Sequence, residues 1–198
     1  MNWLFPIGWG FDVVGVTWDS MSFQNIDTTK EIEIPVGNHV GAFGTKRRHD
    51  VHKGVDLYCP PDTVVYAVEE GEVVDIRWFT GEKAGFPWWN NTMAVSIEGE
   101  SGVVVYGEIL IDQVNDMRVG KKIERGCYVG NVERVLKKDK GRPTSMLHFA
   151  LHHHNVLSNG RWDIGDPQPV GLIDPTNRLI ASRFYDEFAD NALKETKK

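Results

Sequence analysis

The sequence has few cysteines: Cys59 and Cys127 are the only two among 198 residues. Two cysteines cannot build a disulfide framework, and their spacing does not match a zinc-finger pattern. Cys59 lies close in sequence to a pair of histidines, so a thiolate metal ligand is one option there. A free cysteine is more often a small buried residue, and we expect both cysteines to be buried.

Long apolar runs and an excess of positive charge are also missing. No stretch approaches the 18 or so consecutive apolar residues that predict a membrane-spanning helix. The apolar N-terminus lacks a preceding basic region and is interrupted by Pro6 and Asp12, so we expect no cleavable signal peptide. The formal net charge of −6 gives no electrostatic basis for binding nucleic acid.

Short runs rich in valine, isoleucine and tyrosine, separated by glycine and proline, predict an all-β fold. Nine strands are expected, over residues 12–17, 31–35, 54–58, 63–68, 72–77, 92–98, 103–109, 128–134 and 146–152. Their spacing is typical of an antiparallel sandwich or barrel. One short C-terminal helix is predicted after Asp174-Pro175, from the spacing of Leu179, Ile180, Phe184 and Phe188.

The length suits one domain of ordinary size. We expect an N-terminal extension over residues 1–40 packed on a main domain over 41–180, followed by a helix and tail over 181–198. An aromatic segment, residues 78–91, interrupts the predicted strands. It either covers an open face of the sheet or binds a sugar ring or peptide at a groove edge, through residues such as Trp88 and Trp89.

Two histidines and one carboxylate form a common zinc-binding set that leaves a coordination position open. The candidates are His52, Asp56 and His148. On a straight strand, His52 and Asp56 would lie about 13 Å apart, too far for one ion. A shared ion therefore requires a bend between them, which Gly54 can supply by adopting backbone angles that other residues avoid.

The apolar run around His148 predicts a strand with two different faces. Alternation places Leu147, Phe149 and Leu151 on a core face. The opposite face, toward a groove, then carries Met146, His148, Ala150 and His152. Because His152 would lie about 13 Å along the strand from His148, we expect it to line the groove and not to share the ion. His49 could reach the site through a loop.

The segments around these residues contain an ordered series of landmarks. They are Phe43-Gly44, Arg47, His52, Gly54, Asp56-Leu57, Pro61, Val65, Ala67, Gly71 and Val73, followed by VVVYGEI, RGCYVGNV, LHFAL and GLIDPTNRL. This order resembles the lysostaphin-type zinc endopeptidases, which cut peptide cross-bridges in bacterial cell walls, over roughly residues 40–180. The resemblance implies zinc on His52, Asp56 and His148, and an antiparallel barrel-sandwich hybrid with a long open groove.

Two positions depart from that pattern. The family carries two further histidines near the water, and the aligned residues here are Glu108, two residues after Tyr106, and Met146. Methionine cannot transfer a proton, and loss of an acid–base group typically costs about 10²–10⁴ in rate. A glutamate is the general base of the HExxH metalloproteases. We therefore expect Glu108 to act as general base, on one strand face with Val104 and Tyr106, in a groove that includes Tyr106 and Met146.

The resemblance implies a metalloendopeptidase that uses one zinc ion and acts on peptide cross-links of peptidoglycan. The alternative is a catalytically impaired, zinc-bound member of the fold, serving as a cell-wall or peptide-binding, regulatory or virion structural module. Glu108 and Met146 favour that alternative. Expected partners are peptidoglycan peptides or another peptide, without nucleic acid or a membrane span. We expect a cytoplasmic or phage-associated protein that reaches the cell wall on release; the oligomeric state is open.

Overall fold

The computed structural model describes residues 3–7, 9–14, 22–27, 32–112, 116–138, 143–158 and 160–182. These ranges contain the strands β1 (Trp9–Val14), β2 (Ser22–Asp27), β3 (Val55–Tyr58), β4 (Val64–Tyr66), β5 (Gly71–Thr80), β6 (Thr92–Gly99), β7 (Gly102–Leu110), β8 (Lys122–Ile123), β9 (Tyr128–Val132), β10 (Met146–His152) and β11 (Leu172–Ile173). A 3-10 turn, Glu82–Ala84, follows β5, and the helix α1 occupies residues 176–182 of the described chain.

Nine of the described strands form one open sheet in the order β11-β10-β7-β6-β5-β8, with β3 on β10 and β9 joining β4 to β7. The strands β1 and β2 pair as a separate two-stranded sheet. All of these pairs are antiparallel, so the predicted all-β antiparallel fold is confirmed. No helix in the described ranges is long and apolar enough to cross a membrane.

The short C-terminal helix is confirmed where the structure describes it. It begins at Thr176, directly after Asp174-Pro175, and the Asp174 carboxylate accepts hydrogen bonds from the Thr176 backbone N–H at 2.9 Å and from the Thr176 hydroxyl. This is the capping arrangement that satisfies free N–H groups at a helix start. Leu179 is fully buried. Phe184 and Phe188 lie outside the described residues.

Some strand predictions differ from the structure. Residues 32–35 of the expected strand 31–35 are not a strand, although Ile32 and Pro35 are buried. They pack on the core without a sheet ladder, and proline has no backbone N–H for one. The first strand is Trp9–Val14 and not 12–17; residues 15–17 lie outside the described ranges. Three strands were not predicted: β2 is largely polar, and β8 and β11 are only two residues long.

The hydrophobic core lies on one face of the large sheet. Strand β10 contributes Leu147, Phe149 and Leu151 to it, all fully buried, as alternation predicts. Strand β7 contributes Tyr106, which is 1% exposed; its hydroxyl accepts a hydrogen bond from the Val68 N–H at 2.9 Å. Tyr106 is therefore a core residue, and its expected place in the groove is wrong.

The described N-terminal residues belong to the same core. Trp3, Phe5 and Ile7 are buried, and the Trp3 ring meets Phe149 edge-on with centroids 5.5 Å apart. Ile7 forms a β-bridge with Val65 at the edge of β4. These contacts explain why the N-terminal segment is so apolar: its side chains complete the core. The predicted domain boundaries at residues 40 and 180 stay predictions.

The two cysteines differ from the expectation. Cys59 is buried in the core, and burial raises the pKa of its thiol to about 11. A thiol that holds its proton this firmly is a poor metal ligand. Cys127 is exposed, because it lies in the turn before β9, where its N–H donates to the Glu124 carbonyl at 3.1 Å. The expectation that both cysteines are buried is wrong for Cys127.

Candidate metal centre

Two neighbouring strands place the three predicted metal ligands together. Asp56 of β3 and His148 of β10 are direct cross-strand partners, and His52 precedes β3 by three residues. Asp56 Oδ1 is 3.1 Å from His52 Nε2 and 2.9 Å from His148 Nδ1. The two imidazole nitrogens are 3.2 Å apart. Because His52 and Asp56 lie this close, the chain between them is bent, as predicted.

The bend lies at Gly54, but its glycine is required for a different reason than expected. The φ angle of Gly54 lies outside the left-handed region, so the backbone conformation does not itself require glycine here. A Cβ atom there would lie 2.6 Å from the Phe149 carbonyl oxygen and 2.8 Å from Cε1 of His148. Only a residue without a side chain lets the two segments approach this closely.

A loop before β3 orients His52 and Asp56. The His52 Nδ1–H donates to the Ala42 carbonyl, with 3.0 Å between the atoms, and this leaves the Nε2 lone pair directed at Asp56. The Asp56 backbone N–H donates to the Gly41 carbonyl at 2.8 Å. Arg47 donates to Oδ2 of Asp56 and leaves Oδ1 for the two imidazoles. Such outer partners set the tautomer and direction of metal ligands.

The electrostatics favour the protonation states that a metal requires. Burial opposes ionisation of Asp56, but the charges and hydrogen bonds of His52 and His148 in their protonated forms outweigh it and hold the carboxyl pKa well below its ordinary range. Burial lowers the pKa of His148, against an opposing effect of Asp56. Asp56 is therefore a carboxylate and His148 a neutral imidazole near pH 7, which are the metal-binding forms.

The three donor atoms fit a zinc ion. Ligand atoms about 2.0–2.2 Å from a tetrahedral zinc are about 3.3–3.6 Å apart. The distances between the three donor atoms in this structure, 2.9–3.2 Å, are only slightly shorter. Small side-chain rotations would therefore bring them to the spacing that zinc requires. Two nitrogens and one oxygen are also a donor set that zinc accepts, with a fourth position left open. In the described part of the chain, His52, Asp56 and His148 are the group able to hold an ion.

A β-bulge determines the direction of Glu108. Along the β6–β7 pair, Gly107 opposes Ala94 and Ile109 opposes Met93, so Glu108 is one extra residue without a partner on β6. Its φ angle is +65°, a left-handed value that is uncommon outside glycine. Simple alternation would place Glu108 with Tyr106 on the core face. The bulge turns it to the cleft instead, so the expectation of a shared face is wrong.

The Glu108 carboxylate lacks a hydrogen-bond partner at one oxygen. Its Oε2 atom is buried, with no donor within reach among the described residues. Burial raises the pKa of Glu108 well above the ordinary value, the charge of Asp56 raises it further, and Arg47 opposes both. An unsatisfied buried carboxylate oxygen is costly, so this atom is suited to a ligand or water.

One cleft of about 320 Å³ brings both histidine ligands and Glu108 to the same space. The residues that line it are Arg47, Asp50, Val51, His52, Lys53, Arg77, Phe79, Thr80, Phe86, Trp89, Val105, Glu108, His148, Ala150, His152 and Ser158. Val105 and Ala150 pack with Ala94 and Phe79 in a small apolar cluster on this side of the sheet. The cleft therefore lies on the face opposite the main core.

The remaining groove predictions divide into two groups. His152 and Trp89 line the cleft as expected. Met146 does not: it begins β10 opposite Tyr58 and is buried there. His49 does not either, because it is exposed in the bend at residues 48–50, and Arg47 enters the cleft in its place. Trp88 is exposed beside the cleft and contacts Trp89, with ring centroids 6.2 Å apart, but does not line it.

Arg47 and Phe79 are among the cleft residues that were not predicted as site residues from the sequence. Arg47 belongs to a basic triplet that is typical of a solvated turn, yet it contacts Asp56. Its only sequence signal is its place among the ordered landmarks. Phe79 covers Gly107, where a Cβ would lie 2.7 Å from its ring, and also approaches the His148 imidazole with centroids 5.3 Å apart. No local pattern distinguishes Phe79 from the other aromatic residues of its segment.

Comparison with known proteins agrees with this fold. The chain is 18% identical to the catalytic domain of the antimicrobial peptidase lysostaphin from Staphylococcus simulans, over 76% of this chain and 94% of that one, with a TM-score of 0.50. It is 20% identical to cbpa from L. salivarius REN, over 76% of this chain and 88% of that one, with a TM-score of 0.48. No curated protein matches it. The sequence model of "Peptidase family M23" matches residues 50–160, which is more than half of the chain. The chain therefore belongs to peptidase family M23.

Proposed function

We propose that this chain is a zinc-dependent endopeptidase that hydrolyses peptide cross-links of peptidoglycan. One observation carries the proposal: three donor atoms lie 2.9–3.2 Å apart beside a cleft that also contains an unsatisfied buried oxygen of Glu108. Family membership supports a peptidase. The likeness to lysostaphin shows the fold, and the cell-wall substrate comes from the ordered motifs that resemble its family.

In this proposal His52, Asp56 and His148 hold the metal. Bound zinc would supply a Lewis acid that polarises the scissile carbonyl and lowers the pKa of a coordinated water. Arg47 occupies the second oxygen of Asp56, so the carboxylate offers one oxygen to the site. The Ala42 carbonyl keeps the proton of His52 on Nδ1 and so leaves Nε2 free to bind.

Glu108 is proposed to move the proton. Gly107 is the cross-strand partner of His148, so Glu108 follows the residue that faces this ligand. Its buried Oε2 has no competing donor among the described residues and can accept a proton from the attacking water. The same carboxyl group can then donate that proton to the leaving amine. The upward direction of its pKa shift, caused mainly by burial, suits an acid–base group, because a free carboxyl pKa lies well below neutral pH.

The backbone at Glu108 favours a functional site over a purely structural scaffold. A left-handed non-glycine residue costs on the order of 1–3 kcal/mol and persists mainly where the surrounding structure forces it. Glu108 carries this backbone strain and, in addition, the desolvation cost of its unsatisfied buried oxygen. A purely structural role would require neither, whereas a group that takes a proton from water uses the free oxygen. Met146 is not in the cleft, so proton transfer in this proposal rests on Glu108 alone.

A combined metal and digestion assay tests the proposal. The purified chain is dialysed, its zinc content is measured, and it is then incubated with purified peptidoglycan while new amino groups are counted. We expect about one zinc ion per chain and a steady release of amino groups that a chelator stops. Zinc retained without any release of amino groups would instead support the binding module.

A further inference from the structure

Three aromatic residues, two exposed and one half-buried, form a shelf on the connection between β5 and β6. This aromatic shelf consists of Phe86, Trp88 and Trp89, whose ring centroids are 5.6–6.2 Å apart. Trp88 is 61% exposed and Phe86 is 40% exposed. The rings of Phe86 and Trp88 are therefore not hidden against the sheet, whereas Phe79 packs on it. Contiguous exposed aromatic surface of this kind marks an interaction site.

The shelf is held in place on several sides. The Phe86 N–H donates to the Gly81 carbonyl at 2.7 Å, and Lys137 donates to the Pro87 carbonyl at 2.7 Å. Trp89 forms a β-bridge with Leu136. Because the backbone is anchored before and after Trp88, binding at this ring has little ordering cost.

The shelf continues the wall of the cleft. Phe86 and Trp89 line the cleft together with Glu108 and His148. Trp88 contacts both of these aromatic rings and stands one ring further out. A polymer whose reacting part lies in the cleft reaches Trp88 if it leaves the cleft over this wall.

The geometry of Trp88 suits a sugar ring. Its plane makes angles of 71° with Phe86 and 68° with Trp89, so neither neighbour stacks flat on the indole. Trp88 is also 61% exposed, and exposed indole surface packs well on the C–H face of a pyranose, as aromatic rings do on flat apolar surfaces. One amine is near: Lys137 Nζ donates to the carbonyl of Pro87, the residue before Trp88. Amines donate hydrogen bonds to hydroxyl and acetamido oxygens.

We propose that the aromatic shelf binds an N-acetylated pyranose ring of the glycan strand whose peptide lies in the cleft. This rests on the proposed function, because it names the second component of the same substrate. Trp88 is then a binding residue for the sugar and takes no part in hydrolysis. Peptidoglycan would be held at two points, by the peptide in the cleft and by the sugar on the shelf.

The test uses chitotetraose, a soluble chain of four N-acetylglucosamine units without peptide. Its binding to the full-length protein is measured by titration calorimetry for wild type, Trp88→Ala and Trp78→Ala. Trp78 is the matched control, since it is a 38% exposed tryptophan on the same segment but outside the shelf. We expect saturable binding by wild type, at least about tenfold weaker binding by Trp88→Ala, and a change below about twofold for Trp78→Ala.

Several results would overturn the proposal: no saturable binding by wild type, equal affinity in Trp88→Ala, or equal losses in both variants. The proposal would also fail if Trp88→Ala lost binding to a sugar-free stem peptide but kept binding to chitotetraose. That result would assign the shelf to the peptide. Sugar binding needs neither zinc nor hydrolysis. Trp88-dependent binding of chitotetraose by a chain that cleaves nothing would therefore support the shelf while the proposed function fails. Equal melting temperatures confirm that the variants are folded.

Discussion

Asp56 and His148 face each other directly across β3 and β10, with Oδ1 and Nδ1 2.9 Å apart. The register of this strand pair therefore builds the candidate metal centre. A slip of one residue would turn one of the two side chains to the opposite face. The burial of Leu147 and Phe149 on either side of His148 prevents such a slip, because it would expose both to the cleft.

The first prediction concerns the metal. We expect His148→Ala to weaken zinc binding by more than about 100-fold, since loss of an outer partner alone costs about 10–100-fold. The measurement is zinc content after dialysis against a competing chelator. His154→Ala is the matched control, because His154 lies two residues after the end of β10, is exposed and pairs with Glu98. Wild-type zinc retention by His148→Ala would remove this residue from the ligand set.

The second prediction concerns Glu108 as general base. We expect Glu108→Gln to lower the rate of peptidoglycan cleavage by about 10²–10⁴ while zinc content stays at the wild-type level. Glutamine keeps the size of the side chain but cannot accept a proton. Glu72→Gln, on the exposed side of β5, is the control and should leave the rate unchanged. A fully active Glu108→Gln enzyme would rule out the role.

The third prediction concerns the close approach at Gly54. A Cβ atom there would meet backbone and imidazole atoms at 2.6–2.8 Å, so Gly54→Ala must move β10 or the His52 loop. We expect a loss of roughly 1–3 kcal/mol in unfolding free energy, as for other overpacked sites. We also expect weaker zinc binding, because His148 is one of the groups displaced. Urea unfolding and chelator competition measure the two effects.

Gly120→Ala is the contrasting variant for this experiment. Gly120 has a φ of +84°, and a Cβ added there would meet no atom within 4 Å, so alanine strains the backbone without touching the site. It should lower the melting temperature and leave zinc affinity at the wild-type value. If Gly54→Ala behaved in the same way, crowding against His148 would not control the metal centre.

The sequence predicted the parts of the site that depend on local patterns. Alternating apolar residues around His148 placed it on the face opposite the core, and the i,i+4 spacing of His52 and Asp56 implied a bend. The position of Glu108 could not be predicted in this way. Its direction depends on a register shift between β6 and β7, which arises when two distant segments pair. Tyr106 was misplaced for the same reason: it obeys alternation, whereas Glu108, two residues later, departs from it.

The last prediction concerns the stability of the metal-free protein. Burial and the charge of Asp56 raise the pKa of Glu108, so the folded state binds this proton more tightly than the unfolded state does. The resulting stabilisation is fully present below the unfolded pKa of about 4.3. It is lost as the pH rises through the raised pKa of the folded state, because a buried carboxylate then has to ionise.

Glu108→Gln removes this ionisation, so the unfolding free energy of the variant should not fall as the pH rises through the pKa of folded Glu108. We expect the metal-free variant to match wild type near pH 4 and to exceed it by about 1–3 kcal/mol at alkaline pH, the cost of one unsatisfied buried group. Urea unfolding across this pH range measures the difference, with Glu72→Gln as control. A variant no more stable than wild type at alkaline pH would mean that the folded protein solvates the Glu108 carboxylate, contrary to the burial of its Oε2 atom.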